Sequence, residues 1–263
     1  MSTALASTQR LSEPMISVIG LYKSFGDNTV LQGIDLEVAR GESLVVVGGS
    51  GAGKSVFLKH LIGLLQPDEG HVVVDGVDLT LVSPEIALDL RKRFGMSFQE
   101  GALFDSMSVF DNIAFPIRRH TRKKPPEVAA RVHECLAMVR LEGVEKKYPA
   151  ELSGGMRRRV GFARAIALAP EILLFDEPTS GLDPINTAAI GGVINQLRGE
   201  LDVTLVTISH DMSLAFQIAD RIAMIRQGRI IATDPPELFA DSRDPWVRAF
   251  LEGEVPSEVE DEP

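Results

Sequence analysis

Apolar and polar residues alternate at Ile34, Leu36 and Val38, and again across 71–75 up to Gly76, which predicts half-buried strands joined by turns, as in an antiparallel sheet. Three other runs, 43–47, 172–175 and 203–208, read as continuous apolar stretches, with Ser43, Thr204 and Thr207 as their hydroxyl residues. They are short, rich in branched residues and bounded by turn residues, which predicts strands of a parallel sheet buried on both faces. A helical pattern follows each one. Strand signal stops between 110 and 150, where Pro125-Pro126 precedes a helix predicted over 127–139. The class is therefore α/β: a parallel-sheet core, an antiparallel β subdomain and a helical subdomain inserted at about residues 100–165. This body spans 15–251. It lies between a polar N-terminal tail, 1–14, and an acidic, proline-bearing C-terminal tail, 252–263, whose composition cannot build a core.

A chain of 263 residues suffices for one large unit with its own core. With 24% charged and 44% hydrophobic residues, fibrous, disordered and disulfide-stapled classes are excluded. A net charge of −10 repels nucleic acid phosphates and anionic head groups alike, so no nucleic acid partner is expected. The N-terminus lacks the apolar stretch of a secretory signal, and no run is long enough to span a bilayer. The chain is expected to stay in the cytoplasm, with any membrane role coming through another chain. The single cysteine, Cys135, shares a helical stripe with Val128, Val132 and Val139 and reads as core.

Directly after the apolar run 43–47 stands Gly48-Gly49-Ser50-Gly51-Ala52-Gly53-Lys54-Ser55, a P-loop pattern, with a helical pattern over 56–65 behind it. Glycines let successive backbone N–H groups curl toward phosphate oxygens, and the helix N-terminus adds positive partial charge. Lys54 is placed to bridge the β- and γ-phosphates of ATP, and the Ser55 hydroxyl to ligate Mg²⁺. A second centre follows 172–175, which delivers Asp176 and Glu177 before Pro178 stops the strand. Asp176 there can hold Mg²⁺ through water, while Glu177 can take a proton from the attacking water.

Leu152-Ser153-Gly154-Gly155-Met156, upstream of Asp176, resembles the signature motif of ABC-type ATPases. Ser153, Gly154 and Gly155 before a helical stretch over 157–167 also form a second anion-binding helix start, with simple capping as the alternative. The resemblance implies a RecA-like core and two ATP molecules held head to tail between two copies of the chain, so that Ser153, Gly154 and Gly155 serve the nucleotide of a homodimer partner, and a D-loop at Ser180-Gly181-Leu182-Asp183 in which Asp183 is nucleotide-binding. It further implies a Q-loop glutamine at Gln99 that contacts Mg²⁺, a switch histidine at His210 that touches the γ-phosphate, and an adenine-stacking aromatic at Phe25.

Two residues depart from the family pattern. Val56 replaces a second hydroxyl, leaving only its backbone N–H for the α-phosphate, and Met156 stands where glutamine is commoner. This combination, with Gln99-Glu100-Gly101-Ala102-Leu103-Phe104-Asp105 and the closing Phe250-Leu251-Glu252-Gly253, resembles the ATPases of MCE-type phospholipid transporters of the Mla and toluene-tolerance kind. That resemblance implies an integral membrane permease, a periplasmic MCE-domain protein, a small STAS-domain protein and a peripheral place on the cytoplasmic face of a bacterial inner membrane. An ABC motor for another cargo, a cluster-assembly ATPase, and a degenerate module that only holds ATP are the alternatives; Glu177 and His210 argue against the last. The run Arg157-Arg158-Arg159 reads as solvated or ion-paired surface, with a contact to the neighbouring subunit as the alternative, and is assigned no site.

Overall fold

A computed structural model describes residues 13–253. The tail segments 1–12 and 254–263 lie outside the described residues. Among the described residues, ten strands form two sheets. In the first, β1 (Ile16–Phe25), β2 (Asn28–Val38), β4 (Glu69–Val74) and β5 (Val77–Asp78) pair antiparallel in the order β2-β1-β4-β5. In the second, β3 (Ser43–Val47), β6 (Phe94–Ser97), β7 (Ile172–Asp176), β8 (Thr204–Ile208), β9 (Arg221–Arg226) and β10 (Arg229–Asp234) take the order β10-β9-β3-β8-β7-β6. All pairs in the second sheet are parallel except the β9–β10 hairpin.

The three apolar runs are β3, β7 and β8, inner strands of this sheet. Side chains alternate across a strand, and here successive residues feed two different cores. Leu44 and Val46 of β3, with Ile172 and Leu174 of β7, pack against the antiparallel sheet and helix α1 (Lys54–Leu61). Val45 and Val47, with Leu173 and Phe175, pack against the helices on the opposite face. Both faces are covered, which is why these strands carry no polar stripe.

The helical face contains α3 (Val109–His120), α4 (Pro125–Met138) and α5 (Gly154–Ala165), following α2 (Pro84–Arg91) in the chain. Val128, Val132, Cys135 and Val139 are buried together against Val109, Ile113 and Ile117, as the stripe predicts. Helix α4 begins two residues earlier than the predicted 127, because proline is tolerated in a first turn whose N–H groups have no acceptor. The remaining helices are α6 (Pro184–Leu201), α7 (Met212–Ile218), α8 (Pro236–Ala240) and α9 (Pro245–Glu252). Strands β1, β9 and β10 had no distinct pattern signal. In β1, register shifts after Val18, Leu21 and Lys23 break the alternation.

One consequence positions everything below. Because β3, β6, β7 and β8 are parallel, the segments that leave their carboxyl ends emerge at one edge of the sheet, where α/β folds place ligands.

Candidate functional site

The loop 48–53 leaves β3 at this edge. Gly53 is the N-cap of α1 at φ 101, and a Cβ there would stand 2.8 Å from Leu31 Cδ2 and 3.0 Å from the Val30 carbonyl, so only glycine fits. Helix α1 therefore opens at Lys54, two residues before the predicted start. Phe57 donates the first intrahelical bond, to Gly53 O at 2.8 Å. The N–H groups of Lys54, Ser55 and Val56 thus have no acceptor within the helix and line a cleft of about 560 Å³.

Lys54 is 9% exposed and donates to the carbonyls of Gly48 at 2.7 Å and Gly49 at 2.9 Å, with its Nζ 3.9 Å from Glu177 Oε1. Burial lowers its pKa, opposed by the charges of Glu177 and Asp176. Asp176, at the end of β7, accepts from the Ser55 hydroxyl at 3.3 Å. Burial raises its pKa; the Ser55 bond works against that rise, and the neighbouring Glu177 charge adds to it.

Glu177 takes a left-handed backbone, φ 51, and its N–H donates to Ile208 O at 2.9 Å, tying the end of β7 to the end of β8. Its Oε2 lies 2.7 Å from His210 Nδ1 and 3.4 Å from the His210 backbone nitrogen. A carboxylate can only accept, so Nδ1 carries the proton and Nε2 is left for another partner. Asp211 caps α7 through Leu214 N and accepts from the Thr179 hydroxyl at 3.3 Å, fastening the segment after His210 to the one after Glu177. Gln99 opens a 3₁₀ turn after β6, and its Nε2 donates to Ser180 Oγ at 3.4 Å. Four segments that are remote in sequence thus meet around one cleft: its lining includes Ser50–Val56, Gln99, Glu177, Ser180 and His210.

A family model described as ABC transporter matches residues 31–180. The chain belongs to the ABC transporter family. It is 45% identical over 238 residues to the probable ribonucleotide transport ATP-binding protein mkl of Mycobacterium tuberculosis, an alignment covering 90% of this chain and 66% of that protein. It therefore spans just under two thirds of the length of that relative. It is 39% identical over 244 residues to the intermembrane phospholipid transport system ATP-binding protein MlaF of Haemophilus influenzae, covering 93% of this chain and 92% of that one. Its fold matches a dimeric bacterial ABC transporter cassette with TM-score 0.78 and 29% identity, over 84% of this chain and 99% of that one. The same cassette in a dimeric post-hydrolysis state bound to ADP and Pi matches with TM-score 0.76 and 28% identity, over the same shares.

Within this ABC cassette some residues singled out by sequence stand away from the cleft. Ser153, Gly154 and Gly155 begin α5, and the exposed Ser153 caps it by accepting from Met156 N at 3.3 Å. Asp183 caps α6 by accepting from Ile185 N and Asn186 N, each at 3.0 Å, and its bonds to Asn186 hold its pKa below the usual carboxylate range. Neither group lines the cleft. Phe25, at the end of β1, is 49% exposed with Lys23 Nζ 5.6 Å from its ring centre, and it too is outside the cleft lining.

The arginine run is not a solvated face. Arg158 is 6% exposed and donates to Ser180 O, Arg157 donates to Leu152 O at 2.9 Å, and Arg159 to Arg140 O at 3.1 Å. The charge run hid this, although the i, i+3 spacing puts Arg158 on the same helical face as the buried Gly161. Two lining residues were also missed, Val30 and Ser180. Ser180 stands within the D-loop string, but a serine in a turn has no pattern of its own.

Proposed function

We propose that the chain is the ATP-hydrolysing motor of a phospholipid transport complex, working as a homodimer against an integral membrane permease on the cytoplasmic face of a bacterial inner membrane. The observation that carries this is the cleft itself: loop amides and Lys54 suited to polyphosphate, facing Glu177 and His210 suited to moving a proton.

ATP phosphates would lie along the N–H groups of the loop and α1, with Lys54 released from the Gly48 and Gly49 carbonyls to meet the β- and γ-phosphates. Glu177 would accept the proton of the attacking water, and His210, oriented through its Nδ1, would present Nε2 to the γ-phosphate. The chemistry fits Mg²⁺: the Ser55 hydroxyl oxygen and an Asp176 carboxylate oxygen stand 3.3 Å apart, and Gln99 lines the cleft with Ser55. When bound there, Mg²⁺ supplies positive charge to the β- and γ-phosphate oxygens.

Ser153, Gly154, Gly155 and Asp183, outside this chain's cleft, are assigned to the nucleotide of the second copy, and Phe25 to adenine. The dimeric state of the matched cassette supports the pairing. The phospholipid cargo is supported by the MlaF relative, whose name is that of a phospholipid transport subunit. An MCE-domain protein and a STAS-domain protein are the further partners proposed. No described helix is long and apolar enough to cross a membrane, and the integral membrane permease is the chain proposed to do so.

Phosphate release by the purified chain, compared with Glu177→Gln, tests the ATPase. Affinity purification under mild detergent with mass spectrometry tests the complex: a permease and an MCE-domain protein are expected, and their repeated absence overturns the lipid assignment.

A further inference from the structure

Arg158 is the buried side chain that touches both halves of the site. It sits in α5, one turn past Gly154, and its Nη1 would stand 3.4 Å from a Cβ on that glycine. Its Nη2 donates to the carbonyl of Ser180. Ser180 N in turn donates to Glu177 O at 3.2 Å, and Ser180 Oγ accepts from Gln99 at 3.4 Å. Helix α5 is also pressed onto the Gln99 turn. A Cβ on Gly161 would stand 2.8 Å from Gly101 Cα, and Arg164 donates to Gly101 O at 2.8 Å and Ala102 O at 2.9 Å.

We propose that Arg158 is a positioning residue that couples the two nucleotide sites of the dimer, transmitting the placement of the Ser153–Gly155 segment to Ser180, Gln99 and Glu177 in the same chain's cleft. This role rests on the paired ATPase proposed above. A guanidinium carries several donors on one planar fork, so one end can bond the Ser180 carbonyl while the other stands beside Gly154. Nucleotide gripped at Gly154 by one copy then shifts Arg158, and Ser180 moves with it. Coupling of this kind requires one element that both sites bias, and α5 is bonded to both.

The test uses the full chain with Arg158→Met and Arg158→Lys. For both, affinity for a fluorescent ATP analogue in the monomer stays within about threefold of the parent, because Arg158 does not line the cleft. Arg158→Met loses at least tenfold in kcat with KM little changed, and the Hill coefficient for ATP falls toward 1. Arg158→Lys, which keeps one donor for Ser180 O, recovers part of both. If a variant unfolds, circular dichroism shows it, and the other variant decides. Parental kcat and cooperativity in either folded variant overturn the coupling role while leaving the ATPase intact. A parent that releases no phosphate overturns the paired-ATPase proposal itself.

Discussion

Glu177 Oε2 lies 2.7 Å from His210 Nδ1, although 33 residues and the whole of helix α6 separate the two in sequence. The contact exists because β7 and β8 are adjacent and parallel, with Asp176 registered on Ile208. One carboxyl oxygen is thereby committed to orienting the imidazole, and the other faces Lys54. Replacing Glu177 by Gln keeps the size and removes the proton acceptor. Turnover is expected to drop by about 10²–10⁴, with nucleotide affinity retained and an ATP-dependent dimer visible by size-exclusion chromatography. A variant that turns over at the parental rate would remove Glu177 from the proposed chemistry.

Lys54→Ala is expected to weaken nucleotide binding by on the order of tenfold or more, the worth of a charge-assisted bond to phosphate. Its thermal stability should hold, since the buried ammonium carries a desolvation penalty of its own. Titration with a fluorescent nucleotide, paired with thermal denaturation, separates the two effects.

At Ser153 capping and nucleotide contact can be separated. Ser153→Ala loses the bond to Met156 N and should cost about 1 kcal/mol of stability. Ser153→Asp caps as well as serine does but sets a negative charge where a partner's phosphate is proposed to sit. It should be as stable as the parent and bind ATP in the monomer, yet fail to turn over. Parental hydrolysis by Ser153→Asp would refute a shared site.

Asp176 should leave a mark on the pH dependence of stability. Burial raises its folded pKa above the unfolded value, so between the two values the folded chain holds the proton more often, and stability falls as pH rises through that window. Above the window the buried charge is a standing penalty. Asp176→Asn keeps an acceptor for Ser55 and should be more stable than the parent at pH 7, by about 2–4 °C for each kcal/mol relieved. The gain should vanish below the unfolded carboxylate pKa, and Mg²⁺-dependent hydrolysis should be lost.

Cys135 is fully buried, and desolvation pushes its thiol up to about 11. At pH 8 it should resist alkylation in the folded chain and react on unfolding, so its labelling rate in a denaturant series should follow the loss of circular dichroism. Fast labelling under native conditions would show that the α4 face opens.

The P-loop, the acid pair and the central strands were legible in the sequence because each is local. A buried parallel strand must be apolar on both faces, and the turn that follows at Gly53 tolerates only glycine, so pattern and composition coincide over a dozen consecutive residues. The antiparallel sheet was legible in part, since the register shifts of β1 scrambled its alternation. The helical stripe around Cys135 was legible because four apolar residues recur on one face.

What the sequence could not determine is which segments meet. Strand order β3-β8-β7-β6 is not chain order, and it is this order that sets Glu177 against His210 and Gln99 against Ser180. The same holds for Arg158, whose neighbours in sequence made it look like surface and whose burial depends on a loop 22 residues away. Local chemistry is written in spacing, because backbone geometry repeats every few residues. Contacts between loops depend on how two cores, one on each face of a single sheet, close around it, and that is decided only when the whole chain packs.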